Sequence, residues 1–118
     1  MSEDMYAENI LDHYRHPRNK GSLINYTHRL SDVNPLCGDK LNFDLLVEGD
    51  KVRDVKFDGV GCAISQASAS ILSEYVKGKS VSKVKELSDS DLLELLGVKI
   101  TPARLKCALL SLKILKKF

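Results

Sequence analysis

The sequence predicts an α+β domain in which a small antiparallel sheet of about three strands is covered by helices. Apolar residues alternate with period two across Leu41-Asn42-Phe43-Asp44-Leu45 and again across Val52-Arg53-Asp54-Val55-Lys56-Phe57, the pattern of strands with one buried face. Gly49-Asp50 between them is a tight-turn signal, which makes the two strands antiparallel neighbours. Elsewhere the apolar period is helical: Ile64, Ala67, Ser68, Ile71, Leu72 and Tyr75 form one stripe, and Leu105, Ala108, Leu109, Leu112 and Leu115 form another.

In chain order, residues 3 to 15 place Met5, Tyr6, Ile10, Leu11 and Tyr14 among charges at helical spacing, and the breakers in His16-Pro17-Arg18-Asn19-Lys20-Gly21 close that first amphipathic helix. Tyr26 to Val33 reads as an edge strand, and Asn34-Pro35-Leu36-Cys37-Gly38-Asp39 as a turn, so Cys37 is expected on a loop. After the two central strands, Asp58-Gly59-Val60-Gly61-Cys62 is a glycine-rich turn that delivers Cys62 to the start of the next helix, which runs to Gly78. Ser80 or Ser82 can cap a short helix ending near Leu87; Ser88 or Ser90 can cap another through Leu96, stopped by Gly97. Pro102 opens the last helix and puts Cys107 about one turn inside it.

At 118 residues the chain has room for one domain with a real core, and no repeat, linker or low-complexity tract divides 1–118. Its 43% hydrophobic and 29% charged residues are ordinary for a globular protein. The longest apolar run, Cys107 to Leu110, is four residues, whereas a membrane span takes about 20. The acidic Met1-Ser2-Glu3-Asp4 lacks the basic start of a secretory signal, so a cytoplasmic location is expected, with no membrane partner. Eighteen Lys and Arg against sixteen Asp and Glu are scattered, with only four Tyr, three Phe and no Trp. Neither a basic footprint nor a stacking platform for nucleic acid is present.

Three cysteines in a reducing compartment point away from a disulfide framework. None is paired locally as C-x-x-C, so spacing alone does not announce a metal, but each keeps suggestive company. Cys37-Gly38-Asp39 sets a carboxylate two residues from a thiol across a permissive glycine. Gly61 lets backbone pass close to whatever Cys62 binds, and the free N–H groups opening the following helix favour its thiolate, as Arg104 and Lys106 do for Cys107. From the residues alone three readings stand: a metal site of three Cys and a carboxylate, buried structural cysteines, and a single nucleophilic Cys.

The segments Asp12-His13-Tyr14-Arg15-His16-Pro17-Arg18-Asn19-Lys20-Gly21, Asn34-Pro35-Leu36-Cys37-Gly38-Asp39, Gly59-Val60-Gly61-Cys62-Ala63-Ile64-Ser65-Gln66-Ala67-Ser68-Ala69-Ser70 and Pro102-Ala103-Arg104-Leu105-Lys106-Cys107-Ala108 resemble the signature segments of the IscU/SufU/NifU-N family of iron–sulfur cluster assembly scaffolds. They occur in that family's order across nearly the whole chain. The resemblance implies a scaffold or carrier rather than an enzyme, which receives sulfur from a PLP-dependent cysteine desulfurase, binds iron, builds a labile [2Fe–2S] cluster and passes it to acceptor apoproteins. It implies Cys37, Asp39, Cys62 and Cys107 as ligands of the cluster or iron, with Zn²⁺ a further occupant of the cluster-free form. Cys107, with its two basic neighbours, is the expected persulfide acceptor.

Features of two branches meet here. Lys106 stands where the IscU branch has a His before its third Cys, and Leu96-Gly97-Val98-Lys99-Ile100 replaces that branch's Hsp70-binding Leu-Pro-Pro-Val-Lys, so handover through an Hsp70-type chaperone is not supported. Arg104-Leu105-Lys106-Cys107 is similar to the SufU branch, a zinc-dependent sulfurtransferase that activates its desulfurase, but the 44 residues between Cys62 and Cys107 lack that branch's insertion. The scaffold is therefore the leading expectation, the sulfurtransferase the alternative, and a zinc-stabilised structural module the third. A monomer or weak homo-oligomer is expected. His13 and His16 read as surface or capping residues, Arg15 and Arg18 as a solvated face, and Ser65, Ser68, Ser70 and Ser73 as small side chains that permit close helix packing.

Overall fold

The computed structural model describes residues 8–35, 38–97 and 99–118. Its elements are α1 (Glu8–Arg15), β1 (His28–Asn34), β2 (Asp39–Glu48), β3 (Lys51–Val60), α2 (Ala63–Val76), α3 (Val81–Glu86), α4 (Asp89–Leu96), a 3₁₀ turn (Pro102–Arg104) and α5 (Leu105–Leu115). The expected α+β architecture is present: β1, β2 and β3 form one antiparallel sheet in sequence order. The part of the expected first helix before Glu8 lies outside the described residues.

The period-two pattern dictates which face of the sheet is buried. Leu30, Phe43 and Phe57 are directly opposite one another across the three strands, as are His28, Leu45 and Val55; Phe43, Phe57, Leu45 and Val55 are fully buried. This face is covered by α2 and α5, whose apolar stripes join the same core. The two central strands are longer than their alternation predicts, whereas β1 begins at His28, two residues after the expected Tyr26, and ends one residue later than expected, at Asn34. Asp39, expected in the preceding turn, opens β2, and Asp58, Gly59 and Val60, expected in the following turn, belong to β3. Gly59 explains why its segment reads as a turn: at φ +139°, a Cβ there would run into the Lys40 carbonyl, so the glycine serves close approach of β2 inside the ladder.

The helix ends follow local chemistry. Ser80 accepts the Lys83 N–H, Ser88 and Asp91 form a capping box, and Gly97 closes α4 in the left-handed conformation at φ 70°. Helix α2 is buried on nearly every side, which is why it is so rich in small residues: Ser65, Ser68, Ser70 and Ser73 are all fully buried. Each hydroxyl finds a partner. Ser68 Oγ donates to the Ala108 carbonyl at 2.6 Å and lies 3.1 Å from Ser111 Oγ, binding α2 to α5. Ser70 Oγ accepts the Arg18 N–H at 2.9 Å. Among the described residues, no helix is long and apolar enough to cross a membrane.

The expectation that His13 is a surface residue is corrected. It is buried, with Nδ1 2.8 Å from Ser70 Oγ and Nε2 3.8 Å from the Glu74 carboxylate, so it joins α1 to α2. It lies three residues after Ile10, on the same face of α1, and α2 covers that face. His16 is exposed, and Arg18 pairs with Asp12 at 2.7 Å on the surface.

Burial, helped by the nearby Arg18 charge and opposed by Glu74, lowers the His13 pKa from 6.5. Because the folded state resists the proton that the unfolded chain accepts, the stability from neutral His13 is full above pH 6.5 and declines as the pH falls below it. The thermal midpoint of the metal-free protein should therefore drop between pH 7.5 and 5.5, and His13→Gln should flatten that part of the profile. An equally steep profile in the variant would assign the dependence to other groups.

Candidate functional site

Three chain segments reach the same end of the sheet. β1 finishes at Asn34 directly opposite Asp39, the first residue of β2. β3 finishes at Val60 opposite Lys40. Two residues beyond Val60, Cys62 therefore arrives beside Asp39, and the Cys62 N–H donates to Asp39 Oδ1 at 3.0 Å. That bond engages one of the N–H groups that a helix start leaves without an intrahelical acceptor, and it puts a carboxylate where the helix dipole favours negative charge. Cys62 is itself the N-cap of α2, in extended conformation, and its side chain makes no capping bond.

Cys107, the third residue of α5, is brought to the same point by the packing of α5 on β1, β2 and α2. A carboxylate oxygen of Asp39 and the sulfurs of Cys62 and Cys107 lie within 4.8 Å of one another. Asp39 is 1% exposed and Cys107 2% exposed, whereas Cys62 is half-buried and forms the open side of the group. Asp39 Oδ2 is buried and has no hydrogen-bond partner among the described residues. A buried acceptor left in that state costs on the order of 1–3 kcal/mol. Two soft thiol sulfurs and one hard carboxylate oxygen, with an acceptor position unsatisfied, are a donor set that fits Zn²⁺ or iron.

Gly61 makes the junction possible. A Cβ at this position would come 2.7 Å from Asp39 Oδ1 and would also overlap Ser65 Oγ. Ser65 Oγ in turn donates to the Cys62 carbonyl at 3.0 Å, and Gln66 Nε2 donates to the Gly59 carbonyl at 3.3 Å. The turn into Cys62 is thus held from the first turn of the helix it opens.

Of the four residues expected at the site, Asp39, Cys62 and Cys107 come together, and Cys37 lies outside the described residues. His13 is separately engaged with Ser70 and Glu74. Lys106 is exposed and borders a groove of about 570 Å³ with Val33, Asn34 and Leu109. Sequence reasoning missed Asn34, whose side-chain Nδ2 lies 3.9 Å from Cys107 Sγ. The available signal was alternation: Leu30, Asp32 and Asn34 fall on the same side of β1, but the Asn-Pro dipeptide reads as a turn and conceals the last of them.

Residues 5–117 match the model of the NifU-like N-terminal domain family. The chain belongs to that family. It is 42% identical to the zinc-dependent sulfurtransferase SufU of Bacillus subtilis (strain 168), with 98% of this chain and 89% of the relative covered. That alignment spans 132 positions against 118 residues here, so the relative carries residues without a counterpart in this shorter chain. Identity is 34% with the iron–sulfur cluster assembly scaffold protein IscU of Rickettsia prowazekii (strain Madrid E), over 90% of this chain and 82% of that one. A crystal structure described as an iron–sulfur cluster assembly scaffold for the SUF system, from Fervidobacterium islandicum AW-1, superposes with a TM-score of 0.80 at 32% identity, covering 98% and 97% of the two chains. The family thus contains relatives named for each of the two activities that the signature segments imply.

Gly61→Ala should push the Asp39 carboxylate away from the Cys62 N–H, cost about 1–3 kcal/mol of stability, and weaken Co²⁺ binding by roughly tenfold or more. Denaturant unfolding and an anaerobic Co²⁺ titration measure the two effects. Wild-type Co²⁺ affinity in the variant would show that the missing Cβ does not shape the site.

Proposed function

We propose that this protein is an iron–sulfur cluster assembly scaffold that accepts sulfur from a cysteine desulfurase, binds iron, and passes a labile [2Fe–2S] cluster to apoproteins. The observation that carries this reading is the convergence of Asp39, Cys62 and Cys107 within 4.8 Å beside a partly exposed mouth. Cys37, two residues before Asp39 in the chain, is assigned to the same ligand set. Thiolates suit an iron–sulfur cargo; a carboxylate is harder and matches cluster iron less well. A ligand set of that kind holds its cargo loosely, as delivery requires, whereas purely structural zinc sites are closed by four Cys or His ligands.

Sulfur arrives by exchange. The Cys107 thiolate attacks the terminal sulfur of the desulfurase persulfide; the donor's S–S bond breaks, its electron pair leaves on the donor cysteine, and the terminal sulfur remains on Cys107. One S–S bond replaces another, so no added oxidant is needed. Because Cys107 is 2% exposed, the donor must approach through the side occupied by the half-buried Cys62. If Cys107→Ser blocks uptake of labelled sulfur and Cys62→Ser leaves the first transfer intact, Cys107 is the acceptor; the reverse pattern moves that role to Cys62.

The 42% identity with a zinc-dependent sulfurtransferase favours a second reading, in which the protein hands on sulfur without building a cluster. Cys37, Asp39, Cys62 and Cys107 would then hold Zn²⁺, which supplies charge that keeps coordinating thiols deprotonated. Both readings share the desulfurase and diverge only at iron.

The deciding experiment mixes anaerobic metal-free protein with ferrous iron, cysteine and the cognate desulfurase, and follows visible absorption and Mössbauer spectra for wild type, Asp39→Ala and the three Cys→Ser variants. A cysteine-dependent [2Fe–2S] spectrum that transfers to apo-ferredoxin is the expected result. Zinc-dependent stimulation of the desulfurase with no iron bound would establish the sulfurtransferase, and neither activity would leave a zinc-stabilised module.

A further inference from the structure

The polar end of β1 supplies a side chain that the ligand set does not use. Asn34 is 7% exposed, is paired in register with Asp39, and presents its amide Nδ2 at 3.9 Å from Cys107 Sγ, toward the outer reach of an N–H donor to the large sulfur atom. Residues directly opposite in an antiparallel pair point to the same face. Asn34 and Asp39 therefore stand side by side on the face that α5 covers, and Cys107 meets both.

That placement matters because a cysteine side chain has three staggered positions about its single χ1. The helical backbone disfavours one of the three but does not decide between the other two, and so does not by itself turn Sγ toward Asp39 and Cys62. A donor fixed at the end of a strand does select it, and it does so with the right polarity: a thiolate is an acceptor, and the neighbouring Asp39 carboxylate is another acceptor that repels it. The Asn34 amide, aimed at the sulfur from the strand, offsets that repulsion by a dipole and adds no charge to the site. Metal-ligating groups are commonly oriented by such outer partners.

We propose that Asn34 is a positioning residue for Cys107: its side-chain amide holds the sulfur in the orientation that converges with Asp39 and Cys62. Asn34 itself does not ligate. The isosteric Asn34→Asp keeps the shape but replaces the donor by an acceptor beside Asp39 and the sulfur, so it should be worse than Asn34→Ala, which only removes the amide. Asn34→Ser, a shorter donor, should recover part of the effect. A residue that merely filled space would give the opposite order, with Asp best tolerated.

The inference rests on the reading of Asp39, Cys62 and Cys107 as a metal-binding group, and anaerobic Co²⁺ titration of the whole chain separates the two. Wild type should give sulfur-to-cobalt charge-transfer absorption; its absence would overturn the ligand reading itself, and the Asn34 proposal with it. With that band present, Asn34→Ala should lose roughly 10- to 100-fold in Co²⁺ affinity, with a weaker charge-transfer band per bound ion. In the metal-free proteins, peptide-resolved alkylation should show a changed Cys107 rate and an unchanged Cys62 rate. Wild-type affinity, band intensity and alkylation in a folded Asn34→Ala protein would overturn the positioning role and leave the ligand set standing. Should the variants lose the fold, the Asn34 side-chain amide resonances of ¹⁵N-labelled Cys37→Ser/Cys62→Ser protein decide: they should shift when its one remaining thiol, Cys107, is alkylated, and unmoved resonances would overturn the proposal.

Discussion

The bond from the Cys62 N–H to Asp39 Oδ1 depends on strand register, and the rest of the site depends on that bond. Val60 faces Lys40 across β2 and β3, and Asn34 faces Asp39 across β1 and β2. Slipping either pairing by one residue would turn Asp39 or Asn34 to the opposite face. Register is held away from the site by the row in which half-buried Leu30 joins buried Phe43 and Phe57, and by its neighbour, buried Leu45 with Val55. The apolar middle of the sheet thus sets the position of its polar end. The placement of Asp39, Cys62 and Cys107 is inherited from core packing.

Helix α2 transmits the same constraint to the other two layers. Its serines let neighbouring elements approach closely, and their hydroxyls are then obliged to find partners inside the core. Ser68 does so on the Ala108 carbonyl, one residue beyond Cys107, while Ser70 meets His13 and the Arg18 N–H. An alanine at either position would preserve the space but lose the bond. The small residues that begin with Ser65 therefore fix the depth of α5, and with it the depth of Cys107, relative to the N-terminus of α2 that carries Cys62.

Much of this was legible in the sequence because it depends on local period and local caps. Alternation located the central strands, Gly49-Asp50 their turn, Ser88 and Gly97 the ends of α4, and the two apolar stripes the helices that cover the sheet. The cysteine positions and the Gly61-Cys62 junction were likewise readable, since a glycine before a helix start has few other uses. What was not legible came from tertiary contact. Asp39 reads as part of a turn because its neighbours are turn formers, yet the ladder extends to include it. His13 shares the buried face of α1 with Ile10, but nothing local announces the Ser70 partner that α2 brings to a polar residue there. Asn34 precedes a proline, a local signal that outweighs the alternation placing it on the inward face.

The division of labour between the two oxygens of Asp39 clarifies why a carboxylate serves this position. Oδ1 is engaged by the Cys62 N–H and anchors α2; Oδ2 is buried without a hydrogen-bond partner among the described residues. A ligand that reaches Oδ2 satisfies a group whose desolvation has already been incurred in folding, so binding and folding stability are linked through it. Oδ1 does not have to let go for this to happen, and the carboxylate is presented in a fixed orientation. A cysteine at this place would bind soft metals more firmly but could not accept the helix N–H as strongly, and the release of cargo would slow. In the ligand role proposed for it, Asp39 would reconcile two demands on one side chain: a rigid junction between sheet and helix, and a contact weak enough for the cargo to leave.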